Sequence, residues 1–393
     1  MSVKSLQQFV RILMYVAVAL MLRFLVIDLF LANTEIWWQQ AIAIAIVFVV
    51  GIGFVFRGTA RVIEETTDVL KGRTGLAGGF LQAIGTAFPD MVIGVAAAFL
   101  SLQVRGLDPV RAINLAIIAA STTFGSNIYN IFHAVWCVYR QNLANAKDKV
   151  VLMFPYWKGS GRVQPFSAHA TLPSTREMDS AMRVLTVLTM LTAFVAIAMV
   201  AFGQVTIPLM ADEGDLYQLT VPVGIVLFLL CVGTLFFFRK GERVESPDPE
   251  IHDEEQMYHS QKTWRIWLDL ILSGIAILFA AESMVRTMET FSVLTHIPFV
   301  ITGILAGLIG CFGEMMVVHV YSVHPKGRIG DAIVGVAMDN IVTTLGASIV
   351  AIIGGIFLGG KMLILIFITI LAGNTLLIEQ ISRMKNSLVR EKL

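Results

Sequence analysis

The sequence predicts an all-α polytopic membrane protein of about ten transmembrane helices, arranged as two inverted repeats with helices broken near the bilayer midplane. Three observations predict it. Hydrophobic residues make up 56% of the 393 and charged residues only 15%, and the mean hydropathy is +0.76, too apolar for a water-soluble globule. Apolar stretches of spanning length recur along the whole chain. Two of them carry an acid beside helix-loosening residues, Gly85-Thr86-Ala87-Phe88-Pro89-Asp90 and Gly310-Cys311-Phe312-Gly313-Glu314. An ionisable group inside the membrane is costly and marks an ion or proton pathway.

A crossing helix needs about 20 mostly apolar residues. Such stretches lie at 9–31, 37–57, 76–101, 110–138, 183–208, 218–239, 264–285, 294–320, 329–356 and 360–381. The first is longer than a signal-peptide core and has no small-residue cleavage pattern after it, so it is expected to be a retained span. Lys and Arg then assign direction. They cluster before the first span, after the second, fourth, sixth and eighth, and at the chain end, while the alternate loops hold few beyond Arg105, Arg111, Arg286 and Lys361. The positive-inside rule places both termini in the cytoplasm of a cell-membrane protein. In that topology the Asp90 span runs outward and the Glu314 span inward, so the two motifs are inverted.

Two polar stretches interrupt the spans. Residues 141–182 contain Pro155, Pro165 and Pro173 with several glycines and are expected to be irregular cytoplasmic structure. Residues 241–263 are acidic around Pro247 and Pro249, the composition of a solvated linker. Glu64, Glu65 and Asp68, with Arg61 and Lys71, fit surface pairing at i,i+4. Cys137, Cys231 and Cys311 are odd in number and far apart, which matches neither a disulfide framework nor a cysteine metal site.

The chemistry concentrates around the acids. Pro89 lacks an amide hydrogen and clashes with the carbonyl four residues earlier, so its helix is expected to open between Gly85 and Pro89. Freed carbonyls, the Thr86 hydroxyl and the Asp90 carboxylate are oxygen ligands suited to a hard cation. Gly310 and Gly313 loosen the second helix, and Glu314 supplies its acid. The span after each motif carries a second polar cluster, Phe124-Gly125-Ser126-Asn127-Ile128-Tyr129-Asn130 and Met338-Asp339-Asn340-Ile341-Val342-Thr343-Thr344. Ca²⁺ takes roughly 6 to 8 oxygens, more than two carboxylates provide, and these amides and hydroxyls can complete the shell. For Ser126, Asn130 and Thr344, hydrogen bonding between helices is an equally good account.

These residues resemble the cation/calcium exchanger superfamily, whose inverted repeats each pair a Gly-Thr-Ser-x-Pro-Glu motif with a Gly-Ser-Asn-Ile motif on the next helix. Gly85 to Asp90 matches the first with Asp for Glu, and Gly125-Ser126-Asn127-Ile128 matches the second unchanged. In the second half Glu314 keeps the acid, Gly310, Cys311 and Gly313 replace Thr, Ser and Pro, and Asp339-Asn340-Ile341 stands for the second motif. Residues 275–285 look like the helix before it. The spacing from Asp90 to Asn127 exceeds that from Glu314 to Asn340, which points to an insertion around Gly106 to Pro109.

The resemblance implies 1–35 as an additional N-terminal span, 36–240 as the first exchanger repeat with its cytoplasmic segment at 141–182, 241–263 as linker and 264–393 as the second repeat. It implies cation ligands at Thr86, Asp90, Ser126, Asn127, Glu314, Asp339 and Asn340, no organic cofactor, and no enzymatic step. The implied activity is Ca²⁺ exchanged for Na⁺ by alternating access, with H⁺ as the alternative counter-ion. Partners are small inorganic cations and the lipid bilayer, with no feature for nucleic acid. His133 and His319 suit proton coupling, although core histidines are the simpler account. Glu282 fits either the site or a structural role. A passive channel is the rival transport class. An intramembrane aspartyl hydrolase using Asp90 and Asp339 lacks support, because Gly-x-Gly-Asp, His-Glu-x-x-His and Gly-x-Ser-x-Gly are all missing.

Overall fold

A computed structural model describes residues 3–31, 36–74, 78–154, 164–169, 175–205, 216–241, 258–323, 329–354 and 356–390. The acidic run at 242–257 and the loop at 206–215 lie outside these residues. The first helix, α1 (Val3–Met21), continues as a π-helical stretch, Leu22–Leu31; α2 (Trp37–Ile46) does the same through Val47–Phe56 into α3 (Arg57–Thr74). Then follow α4 (Gly78–Val104), α5 (Pro109–Lys147), α6 (Thr175–Phe202), α7 (Val221–Gly241), α8 (Thr263–Thr295), α9 (Phe299–Val323), α10 (Ile329–Ile353) and α11 (Gly360–Arg390). Among the described residues, eight helical spans are long and apolar enough to cross a membrane, and α9, bent by 52° between Phe312 and Glu314, makes a ninth. The protein is a multi-pass membrane protein.

The 39-residue α5, expected to span at 110–138, is not among the eight, and its place in the bundle explains why. Every residue from Leu115 to Asn127 is buried against other helices rather than lipid. Polar side chains there are buried within the bundle, so the low hydropathy carries no lipid penalty. Local chemistry fixes its ends. The Asp108 side chain accepts from the Arg111 amide at 3.0 Å and Pro109 occupies the first turn, an N-cap with proline where no amide partner is needed. Asp148 closes the other end in a left-handed conformation, φ 48°.

The α5–α9 contact is the most extensive in the bundle, and glycine creates it. A Cβ at Gly303 would stand 2.6 Å from Ser121 Cβ, one at Gly307 2.6 Å from the Thr122 carbonyl oxygen, and one at Gly125 2.9 Å from Ile304 Cα. Small residues four apart let helix backbones touch in an apolar medium, where close packing replaces the missing hydrophobic drive. On the same face of α9, Gly310 and Glu314 follow at helical spacing, so the glycine stripe leads directly to the acid. Helix α4 packs on α5, and both pack on α9 and α10.

One expectation is corrected here. Pro89 does not break its helix, since α4 is continuous from Gly78 to Val104 with Pro89 inside. One lost backbone bond is tolerable where neighbouring helices hold the chain. The bend occurs instead in α9, the motif without proline. Around Gly106–Pro109, where an insertion is expected, α4 and α5 are joined by a short turn at 105–108.

The bundle ends sort the loops. At one end β1 (Gln204–Val205), β2 (Leu216–Gln218) and β3 (Phe357–Gly359) form a small antiparallel sheet in that order. Arg105 donates to the Gly354 carbonyl there, and Arg111 forms a two-pronged ion pair with Glu289 at 2.5 and 2.9 Å. At the other end Val151 and Phe166 exchange backbone hydrogen bonds of 2.8 Å, so this part of 141–182 makes an ordered strap on α5. Trp136 Nε1 donates to the Met153 carbonyl at 3.0 Å, and Gln141 Nε2 to that of Ser167 at 2.9 Å. Arg61 pairs with Glu65 at 3.5 Å, the i,i+4 pairing read from sequence.

Candidate cation site

Helices α4, α5, α9 and α10 bring six of the seven sequence-predicted ligands into one buried region. Asp90, Ser126, Asn127, Glu314, Asp339 and Asn340 are all buried. Thr86 lies in α4, with its side chain outside the described positions. The Asp90 carboxylate rests against α9 at Gly310, where a Cβ would collide with Oδ1. Glycine at 310 is therefore a requirement of this approach. Both Asp90 and Glu314 lie within electrostatic range of Cys311, and Asp339 within range of Asp90. The Asp90 carboxylate thus rests on the helix that carries Glu314.

Hydrogen bonds tie the second polar clusters to the acids. Asn130 Nδ2 donates to Glu314 Oε2 and lies 3.5 Å from Asn340 Oδ1. Thr343 Oγ1 donates to Asn127 Oδ1 at 2.7 Å, crossing from α10 to α5. The Ser126 hydroxyl sits beside Asp90 but donates to the Thr123 carbonyl at 2.9 Å. Asn130 and Thr343 were visible in the sequence clusters but not singled out as ligands. Asn130 follows Asn127 by three residues, and that helical spacing was the available signal.

Several buried oxygens here have nothing donating to them. Asp90 Oδ1 and Oδ2 and Asn130 Oδ1 are inaccessible and accept no hydrogen bond from the described residues. A buried carboxylate without a partner is costly, and a hard cation satisfies oxygens of this kind. Among the described residues no three His, Cys, Asp or Glu side chains gather into a metal cage.

The remaining candidates have other contacts. Glu282 pairs with Arg23 at 2.7 Å and Arg286 at 3.1 Å, and Arg23 also holds Asp28, which makes Glu282 a structural anchor between α8 and the first span. His133 Nε2 lies 3.5 Å from Cys137 Sγ, and His319 packs edge-on to Phe166 with ring centroids 5.4 Å apart. Cys137, Cys231 and Cys311 are buried and free of disulfides.

The fold has solved counterparts. One is the crystal structure of an H⁺/Ca²⁺ exchanger, CAX, with TM-score 0.60 over 98% of this chain and 88% of that one, at 12% identity. The chain has the cation/calcium exchanger fold. A second counterpart is native YfkE, with TM-score 0.53 over 96% of this chain and 99% of that one, at 13% identity. No family model matches the sequence, and no curated protein sequence matches it. The fold is thus shared at low sequence identity.

Proposed function

We propose that this protein is a secondary cation antiporter that moves Ca²⁺ by alternating access, with Asp90 and Glu314 as central ligands. The observation that carries the reading is the buried Asp90 carboxylate resting against Gly310, on the helix that carries the buried Glu314, with the Asp90 oxygens and Asn130 Oδ1 left without donors among the described residues. Asn127, Asn130, Asn340 and Thr343 supply neutral oxygens, and Ser126 and Asp339 border the set. The bend of 52° immediately before Glu314 supports α9 as a moving part, because a half-helix can pivot where an unbroken one cannot. The four site helices are two motif-bearing pairs, which favours the inverted-repeat arrangement with repeats at 36–240 and 264–393. The Lys/Arg distribution supports a cell-membrane topology with both termini cytoplasmic. No bond-making chemistry is required of the site.

In this proposal H⁺ is the counter-ion. Two close carboxylates either share a proton or bind a cation, so competition for the same oxygens couples the two flows. The second motif has no side-chain hydroxyl at Gly310, Cys311 or Gly313 to build a Na⁺ site, and a solved counterpart of the fold is an H⁺/Ca²⁺ exchanger. Na⁺, placed first on the Gly85–Asp90 motif, is retained as the second reading, since that motif is closer to the sodium/calcium branch of the superfamily. Radiolabelled Ca²⁺ uptake into proteoliposomes decides. With membrane potential clamped, uptake driven by a pH gradient and abolished by an uncoupler supports protons. Uptake that follows an imposed Na⁺ gradient and ignores the uncoupler supports Na⁺, and passive flux without either gradient supports a channel.

A further inference from the structure

Between α5, the strap and α9 lies a cavity of about 470 Å³ that the cation site does not use. Tyr129, Phe132 and Trp136 of α5, Met153 and Phe154 of the strap and Met315 of α9 line it. The polar atoms beside it are engaged elsewhere. Trp136 Nε1 donates to the Met153 carbonyl at 3.0 Å, and Nε2 of His133, a further lining residue, lies 3.5 Å from Cys137 Sγ. A cavity with apolar walls stays dry and takes apolar ligands; about 150 Å³ holds one benzene ring, and roughly three times that volume admits an alkyl chain. Phe132 and Phe154 are 37% and 47% exposed, so the cavity opens on the outer surface of the bundle.

The residues along α5 set the depth of that opening. Trp136 and Tyr139 are followed by Arg140 and then by Lys147 and Lys149, the order of an aromatic belt and a basic headgroup zone at a membrane interface. Arg140 borders the cavity on two sides. Its guanidinium lies 5.2 Å from the centre of the Trp136 ring, and its Nε donates to the carbonyl of Leu152, next to Met153, at 2.8 Å. Its hydrogen bonds go to that one carbonyl, so among the described residues its charge meets no carboxylate. An apolar cavity beside such a cation, at interfacial depth, is complementary to an amphiphile with a negative head. We propose that this cavity binds an anionic phospholipid of the leaflet on the Lys/Arg-rich side, with one acyl chain among Tyr129, Phe132, Trp136 and Met315 and the phosphate against Arg140. Met315 directly follows Glu314, so the chain touches α9 just past its 52° bend.

The test uses the full chain in vesicles, with phosphatidylglycerol carrying a photoactivatable group near the end of one acyl chain and phosphatidylcholine labelled in the same way. On irradiation, phosphatidylglycerol is expected to label the peptides that hold Tyr129, Trp136 and Met315 about fivefold more than phosphatidylcholine does, the contribution of one basic residue beside an anionic headgroup. Arg140→Gln should make the two lipids label equally, and Arg140→Lys should keep the preference. Met153→Trp, which fills the cavity and leaves Arg140 in place, should abolish labelling at these residues. If a variant does not fold, the wild-type comparison of the two lipids decides. Equal labelling by both lipids in the wild type, or labelling that persists in a folded Met153→Trp, overturns the site. Free oleate that displaces phosphatidylglycerol at equal concentration overturns the phospholipid assignment in favour of a fatty acid. No Ca²⁺ flux is read, so failure here leaves the antiporter reading standing, and failure of that reading leaves this site standing.

Discussion

Asn130 on α5 donates its amide hydrogen to the Glu314 carboxylate on α9, while its own carbonyl oxygen, fully buried, accepts nothing from the described residues. One side chain thus fixes the second acid and offers an oxygen beside it. Its Nδ2 also approaches Asn340 Oδ1 at 3.5 Å, linking α5 to α10. Asn130→Ala is expected to weaken cation binding by about tenfold or more, the scale of a hydrogen bond to a charged group, with the bundle still folded. Titration calorimetry with Ca²⁺ checks this; unchanged affinity would remove Asn130 from the site.

Asp90→Asn keeps the shape of the side chain and removes its charge. Since neither Asp90 oxygen accepts a hydrogen bond from the described residues, the substitution should leave the melting temperature equal to or above that of the wild type, as burying a neutral amide costs less than burying a lone carboxylate. Ca²⁺ uptake should fall by about a hundredfold or more, a loss of roughly 3 kcal/mol in ion stabilisation. Normal flux in this variant would sink the assignment of the central acid.

Gly307→Ala tests the helix contact that positions Glu314. The added methyl would meet the Thr122 carbonyl oxygen at 2.6 Å and the Ser126 nitrogen at 2.7 Å, both backbone atoms that cannot swing aside. A destabilisation of about 1 to 3 kcal/mol is expected, as for other overpacked sites. Gly274→Ala and Gly335→Ala, with nothing within 4 Å, are the controls and should not lower the melting temperature.

Thr343→Val removes the donor to Asn127 Oδ1 and keeps the side-chain volume. Asn127 then loses its orientation between α5 and α10, so the Ca²⁺ concentration for half-maximal flux should rise several-fold. Thr343→Ser restores the hydroxyl and should recover it. A valine variant with wild-type flux kinetics would show that the bond serves packing alone.

Topology is testable by cysteine labelling, because all three native cysteines are buried. The Lys/Arg distribution predicts that a cysteine at Leu107, 89% exposed in the α4–α5 loop, reacts with an impermeant reagent added outside. One at Val150, 61% exposed beside the strap, should react only after permeabilisation. The opposite pattern would invert the orientation.

Sequence alone determined the membrane class, the spans, the exchanger resemblance and the acids at 90 and 314. Those features are legible because each rests on a local cost: about 20 apolar residues per crossing, and a penalty for any charge placed among them. Hydropathy undervalued α5, whose polar residues are buried against protein, a circumstance no local window contains. Only the tertiary structure decided which amide meets which acid, that α9 bends by 52° and α4 stays helical through Pro89, and that the Asp90 carboxylate rests on Gly310. Those outcomes depend on how Gly125, Gly303, Gly307 and Gly310 let backbones approach, and hence on the rotational register of four helices about one another. Register is set by side chains more than a hundred residues apart, as in the Asn127–Thr343 pair, and no periodicity along the chain records it.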